Sequence, residues 1–212
     1  MKRVGMIGLI GIIGLRGTRP APEALDGRPT PEFAEPAAEF KTRVTKKPFG
    51  IYITPKNSPI QPERFSGYHT GADAEYTDVT ADVPVLAIAD GEIVTARRAS
   101  GYGGVMVLKF QLDGQDWYAI YGHVRPASMK LAGTKITRGE EISVLGTGYS
   151  AETDGERRHL HLGIANKNTI GDILSLDFLE EITFNFVTVI HIFRLYVVIL
   201  SNIISFKNVS LC

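Results

Sequence analysis

The chain has 212 residues, 44% of them hydrophobic, enough for one globular domain of ordinary size plus extensions. Its 23 lysines and arginines balance 23 aspartates and glutamates and are spread along the chain, which excludes the basic footprint of a nucleic-acid-binding protein. The single cysteine, Cys212, excludes an intramolecular disulfide and a thiolate-rich zinc site, so any metal must be held by histidine and carboxylate.

Met1-Lys2-Arg3 precedes an apolar run from Val4 to Leu15, "VGMIGLIGIIGL", closed by Arg16. A short basic start followed by about a dozen apolar residues is the pattern of a secretory signal, too short for a comfortable membrane span. Residues 1–16 are therefore expected to direct export, as a signal peptide or, because no clean small-x-small cleavage site follows, as a retained membrane anchor. A buried helix is the weaker reading, since each interior glycine costs about 1 kcal/mol relative to alanine. No cysteine stands at this end to carry a lipid.

Residues 17–48 contain Pro20, Pro22, Pro29, Pro31, Pro36 and Pro48 among alanines and glutamates. With few large apolar residues to bury, the segment reads as a semi-extended linker holding the domain away from a membrane. The alternative is an arm packed on the domain.

Residues 49–181 are assigned to that domain. From Phe49 to about Ala165, short apolar runs alternate with glycine-containing turns: "VPVLAIAD", "GEIVTARR", "GVMVLKF", "DWYAIYGHV", "EEISVLG" and "RHLHLGI" each suit a strand. Asp90-Gly91 and Asp113-Gly114 are expected to form tight hairpins. No amphipathic helix intervenes, so the fold class is all-β, an antiparallel β-sandwich or barrel-like domain. Gly91, Gly101, Gly103, Gly104, Gly139 and Gly146 read as turn positions with positive φ, Gly71 as a point of close approach to substrate, and Tyr102 and Tyr121 as packing, with groove lining the alternative.

The last segment, residues 182–212, opens with "ITFNFVTVIHIFRLYVVILSNIISF". It is long enough to span a bilayer, but His191 and Arg194 near its centre are costly there, about 2.5–3.5 kcal/mol for arginine. Terminal strands or a frameshifted tail are equally open readings.

In a strand, positions i and i+2 face the same side, so His159 and His161 share one face and the neighbouring leucines the other, as in a half-buried strand. His69 in "GYHTGAD", with Asp73 four residues on, and His123 in "YGHV" stand beside small or turn-like residues in the same domain. The economical explanation is convergence on one site. Zinc takes imidazole nitrogen and carboxylate oxygen when thiolates are absent, and a catalytic site uses three such ligands with the fourth place for water. His69, Asp73 and one member of the His-x-His pair suit that role, leaving other histidines to move a proton or stabilise an oxyanion. Either motif alone is weak evidence; their joint occurrence is much stronger.

Taken together and in order, "GYHTGAD", "VLAIADGEIV", "SGYGGVMVLKF", "YGHV", "GTKITRGEEISVLGTG" and "HLHLGI" resemble the lysostaphin/LytM-type zinc endopeptidases that cut peptidoglycan peptides, over roughly Phe65 to Ile164. The resemblance implies a compact antiparallel β fold with a groove, one Zn²⁺ on His69, Asp73 and His161, and His123 and His159 as the catalytic pair. It also implies an exported enzyme hydrolysing peptide cross-links of bacterial peptidoglycan. A non-enzymatic cell-wall-binding or hydrolase-activating domain of the same fold is the alternative, and retention of all five residues counts against it. The approach "ETDGERRHLHLGI" departs from the small, glycine- and serine-rich one usual in the family. Arg157 and Arg158 are therefore expected to favour anionic stem peptides. The apolar tail in place of a closing strand puts completion of the sheet in question.

Overall fold

A computed structural model describes residues 33–166; the N-terminal apolar segment, the linker up to residue 32 and the apolar tail lie outside the described residues. A short helix, α1 (Phe40–Arg43), is followed by strands β1 (Tyr52–Ile53), β2 (Gly67–Tyr68), β3 (Gly71–Glu75), β4 (Pro84–Leu86), β5 (Gly91–Ala99), β6 (Gly103–Leu112) and β7 (Gln115–Gly122). A 3-10 turn at Pro126–Ser128 leads to β8 (Lys135–Ile136), β9 (Glu141–Val144) and β10 (His159–Asn166). Six strands form one antiparallel sheet in the order β3-β10-β7-β6-β5-β8, and the pairs β1-β2 and β4-β9 form two small sheets. The all-β antiparallel expectation is met. Among the described residues no helix is long and apolar enough to cross a membrane.

Alternation along β10 explains the layering. Leu160, Leu162 and Ile164 point into the main core beside Met106, Leu108 and Tyr121 of the same sheet and Val85, Ile142 and Leu145 of the covering layer. On the opposite face, Ala165 joins Val105, Val107, Tyr118 and Ile120 in a second cluster, while His159 and His161 are buried beside it in sequence. Thus β10 is covered on both faces rather than half-buried, and its polar positions need internal partners.

The Asp113-Gly114 hairpin is as expected: both residues have positive φ, and Leu112 pairs with Gln115 across them. Asp90-Gly91 is not a hairpin, because β4 pairs with β9 while β5 pairs with β6 and β8. Gly91 also lacks positive φ; a Cβ there would lie 2.1 Å from the Lys109 carbonyl oxygen, so close approach of backbones excludes a side chain. Gly104 and Gly146 likewise depart from the expected positive φ, whereas Gly101, Gly103 and Gly139 have it.

Residues 33–48 are an arm on the domain, which moves the expected boundary at Phe49 towards the N-terminus. Phe33, Ala37 and Phe40 are buried in the main core, the Phe33 ring meeting Phe110 edge-on at 5.9 Å. Backbone bonds from Ala34 to Ile88 and from Leu86 to Pro36 tie it down, and the Tyr76 hydroxyl donates to Ala38. Three apolar side chains recur here at a spacing that proline-rich composition conceals.

Candidate metal centre

β3 and β10 run side by side with Asp73 directly opposite His161, so two short side chains on one face meet. His161 Nδ1 lies 3.0 Å from Asp73 Oδ1. His69 follows β2; its Nδ1 is 3.1 Å from the Pro48 carbonyl, which can only accept, and its Nε2 is thereby turned to within 3.2 Å of Asp73 Oδ1. One potential ligand atom from each of His69, Asp73 and His161 lies within 4.8 Å of the others, and all three residues are buried. Two imidazoles and one carboxylate are a donor set that fits a divalent cation such as zinc.

Space for this arrangement depends on Gly71. A Cβ there would sit 2.4 Å from His161 Cε1 and 2.5 Å from its Nε2, so the glycine accommodates the imidazole.

His123 and His159 stack beside the trio with ring centroids 4.2 Å apart. His159 donates from Nδ1 to the Arg157 carbonyl at 2.9 Å, leaving Nε2 3.3 Å from Asp73 Oδ2. His123 follows β7 with a φ of 62° and directs Nδ1 to the Thr153 carbonyl at 3.3 Å. Positive φ at a non-glycine residue costs roughly 1–3 kcal/mol and is held here by the surrounding bonds. Both histidines thus keep their Nε2 atoms free of hydrogen. Tyr102, read from the sequence as packing, belongs to the site: its ring stacks on His123 at 5.7 Å and meets His161 edge-on at 5.3 Å.

Burial lowers the pKa of three imidazoles at the centre, His123 well below its ordinary value, His159 to about 4, and His161 below its ordinary value. Burial alone would raise Asp73, but the imidazoles of His159, His69 and His161 hold its carboxyl well below the usual carboxylate range. An ionised aspartate beside the neutral imidazole of His161 is the protonation state in which a cation finds these ligands ready.

Arg157 and Arg158 do not face a substrate. Arg157 is 3% exposed and donates to Asp73 Oδ2 at 2.8 Å and to Glu75 at 2.8–3.0 Å. Arg158 binds the carbonyls of Val79 and Ala81. The expected preference for anionic stem peptides therefore loses its basis, because both guanidiniums are spent inside the domain. Glu75 has a sequence signal, since Asp-x-Glu in β3 places Asp73 and Glu75 on one strand face.

The model of Peptidase family M23 matches residues 67–172, half of the chain. The chain belongs to peptidase family M23. All five histidine and aspartate positions described above lie inside the M23 match, in agreement with the lysostaphin/LytM-type resemblance. Among solved structures the chain is similar to the SpoIIIAH and SpoIIQ complex, with 18% identity over 63% of this chain and 92% of that one, TM-score 0.45. It is similar to LytU, with 21% identity over 58% of this chain and 73% of that one, TM-score 0.43. A third is Helicobacter pylori Csd3, with 14% identity over 78% of this chain and 40% of that one, TM-score 0.42. No curated protein matches the chain.

Proposed function

We propose that this M23 member is an exported zinc endopeptidase that hydrolyses peptide cross-links of bacterial peptidoglycan. The observation that carries the reading is the convergence of His69, Asp73 and His161 within 4.8 Å, beside a His123-His159 pair with centroids 4.2 Å apart. His69, Asp73 and His161 would hold the zinc, which when bound supplies Lewis acidity and lowers the pKa of water towards neutrality.

The remaining groups move protons. His159 is neutral, tethered at Nδ1, and presents Nε2 beside Asp73, so it is our general base for the attacking water. At the short separation between the two rings the pair takes up one further proton rather than two, and returning it to the amine nitrogen completes cleavage of the peptide bond. Tyr102 walls the histidines from the side and restricts water around them. Export rests on the Met1–Leu15 pattern, basic then apolar.

The test is zinc content and release of peptide ends from purified peptidoglycan by the full chain and its His159→Ala form. One zinc in both proteins, with chelator-sensitive release by the parent only, is the expected result. Zinc without hydrolysis by the parent favours a wall-binding or hydrolase-activating domain, and absence of zinc overturns the metal assignment.

A further inference from the structure

The two oxygens of Asp73 face different partners. Oδ1 is shared by His161 Nδ1 at 3.0 Å and His69 Nε2 at 3.2 Å. Oδ2 accepts from Arg157 Nη2 at 2.8 Å, and the same nitrogen reaches Glu75 Oε1 at 2.8 Å. Arg157 Nε lies 3.0 Å from each Glu75 oxygen, so the guanidinium is clamped between two buried carboxylates. Resting on the zinc reading above, we propose that Arg157 is a positioning residue: it occupies Asp73 Oδ2 and leaves Oδ1 as the single carboxylate oxygen open to the cation. Glu75 supplies the opposing charge that lets a buried guanidinium stand beside a cation site.

Three physical arguments support this. A planar guanidinium holds two carboxylates in fixed orientation, which the point charge of a lysine does not. A carboxylate free at both oxygens can bind a cation through one or both, and rotation about its last torsion is soft. A third argument is electrostatic, since an uncompensated guanidinium would repel a cation strongly in a site of low dielectric. Nor does fold stability explain the clamp, since a buried ion pair replaced by apolar residues of similar volume is often neutral or stabilising.

That last point supplies the test. Full-length parent, Arg157→Met, and Arg157→Met combined with Glu75→Met are titrated with cobalt(II), reading affinity, visible absorption and Tm. Arg157→Met alone leaves the buried Glu75 with only the more distant Lys46 ammonium at 3.9 Å and is expected to lower Tm; the double variant removes that poorly compensated carboxylate and recovers it. The double variant is nevertheless expected to bind cobalt about 10- to 100-fold more weakly. Its absorption should also become weaker, as a higher coordination number requires. A double variant with parental affinity and parental spectrum overturns the proposal and leaves the clamp merely structural. A parent that binds no cobalt overturns both this proposal and the zinc reading. Cobalt binding with the expected spectral change but no peptidoglycan cleavage leaves the positioning role standing and removes only the peptidase reading.

Discussion

His161 and Asp73 are direct cross-strand partners, and His161 Nδ1 approaches Asp73 Oδ1 to 3.0 Å. Sheet register, not a flexible loop, holds these two groups together. His161→Ala and His69→Ala are each expected to abolish stoichiometric zinc and hydrolysis together. Metal analysis after gel filtration checks this, and full zinc in both variants refutes the assignment.

His123 and His159 stack beside the centre but are not among the three grouped ligand residues. His123→Ala and His159→Ala should retain zinc while hydrolysis falls about 10²- to 10⁴-fold, the usual worth of positioned acid-base catalysis. Parallel zinc and rate measurements decide; loss of zinc in either would make that histidine a ligand.

Acidification should destabilise the metal-free protein. Burial lowers His159 from 6.5 to about 4, and lowers His123 and His161 as well. Between those pH values the unfolded chain binds more protons than the folded one, so stability is fully present above 6.5 and is lost as pH falls. His159 alone accounts for at most about 3 kcal/mol of this loss. Thermal melts across that window should show a falling Tm, with a shallower slope for His159→Gln. A flat profile would contradict burial of the neutral imidazole.

Gly71→Ala places a methyl group 2.4 Å from His161 Cε1, on backbone paired to β10 at Gly163. Overpacking of this kind costs roughly 1–3 kcal/mol, and here the groups that must shift are the Leu162 carbonyl at 2.8 Å and the ring of a candidate ligand. Zinc affinity should fall more than about tenfold while circular dichroism still reports a β fold. Unchanged affinity would show that the ring has room to move.

A chain beginning at Phe49 lacks Phe33, Ala37 and Phe40 from the core and the Pro48 carbonyl that orients His69. Its Tm and zinc affinity should both fall below those of the full chain. Phe40→Ala separates the two effects: it should cost about 3–5 kcal/mol of stability while leaving His69 tethered. Equal Tm and affinity for the Phe49 version would return the arm to the status of a linker.

Much of the site is legible in the sequence because its information is local. The two-residue period sets His159 and His161 on one face and Leu160 and Leu162 on the other whatever the sheet order. Asp113-Gly114 specifies its hairpin through positive φ at adjacent residues. Asp90-Gly91 shows the limit, since the same dipeptide joins strands of different sheets once β4 takes β9 as partner. For the arm, composition leaves two readings open, and the turning of Arg157 inward and the contact of Tyr102 with the histidines have no local signal. Arg157 meets Asp73 across 84 positions of chain, and no local pattern says whether a charged side chain faces water or a buried carboxylate. Residue types and periodicity determine which chemistry this chain carries; the strand order of the folded sheet decides which charges meet, because only there do the costs of burial select partners for them.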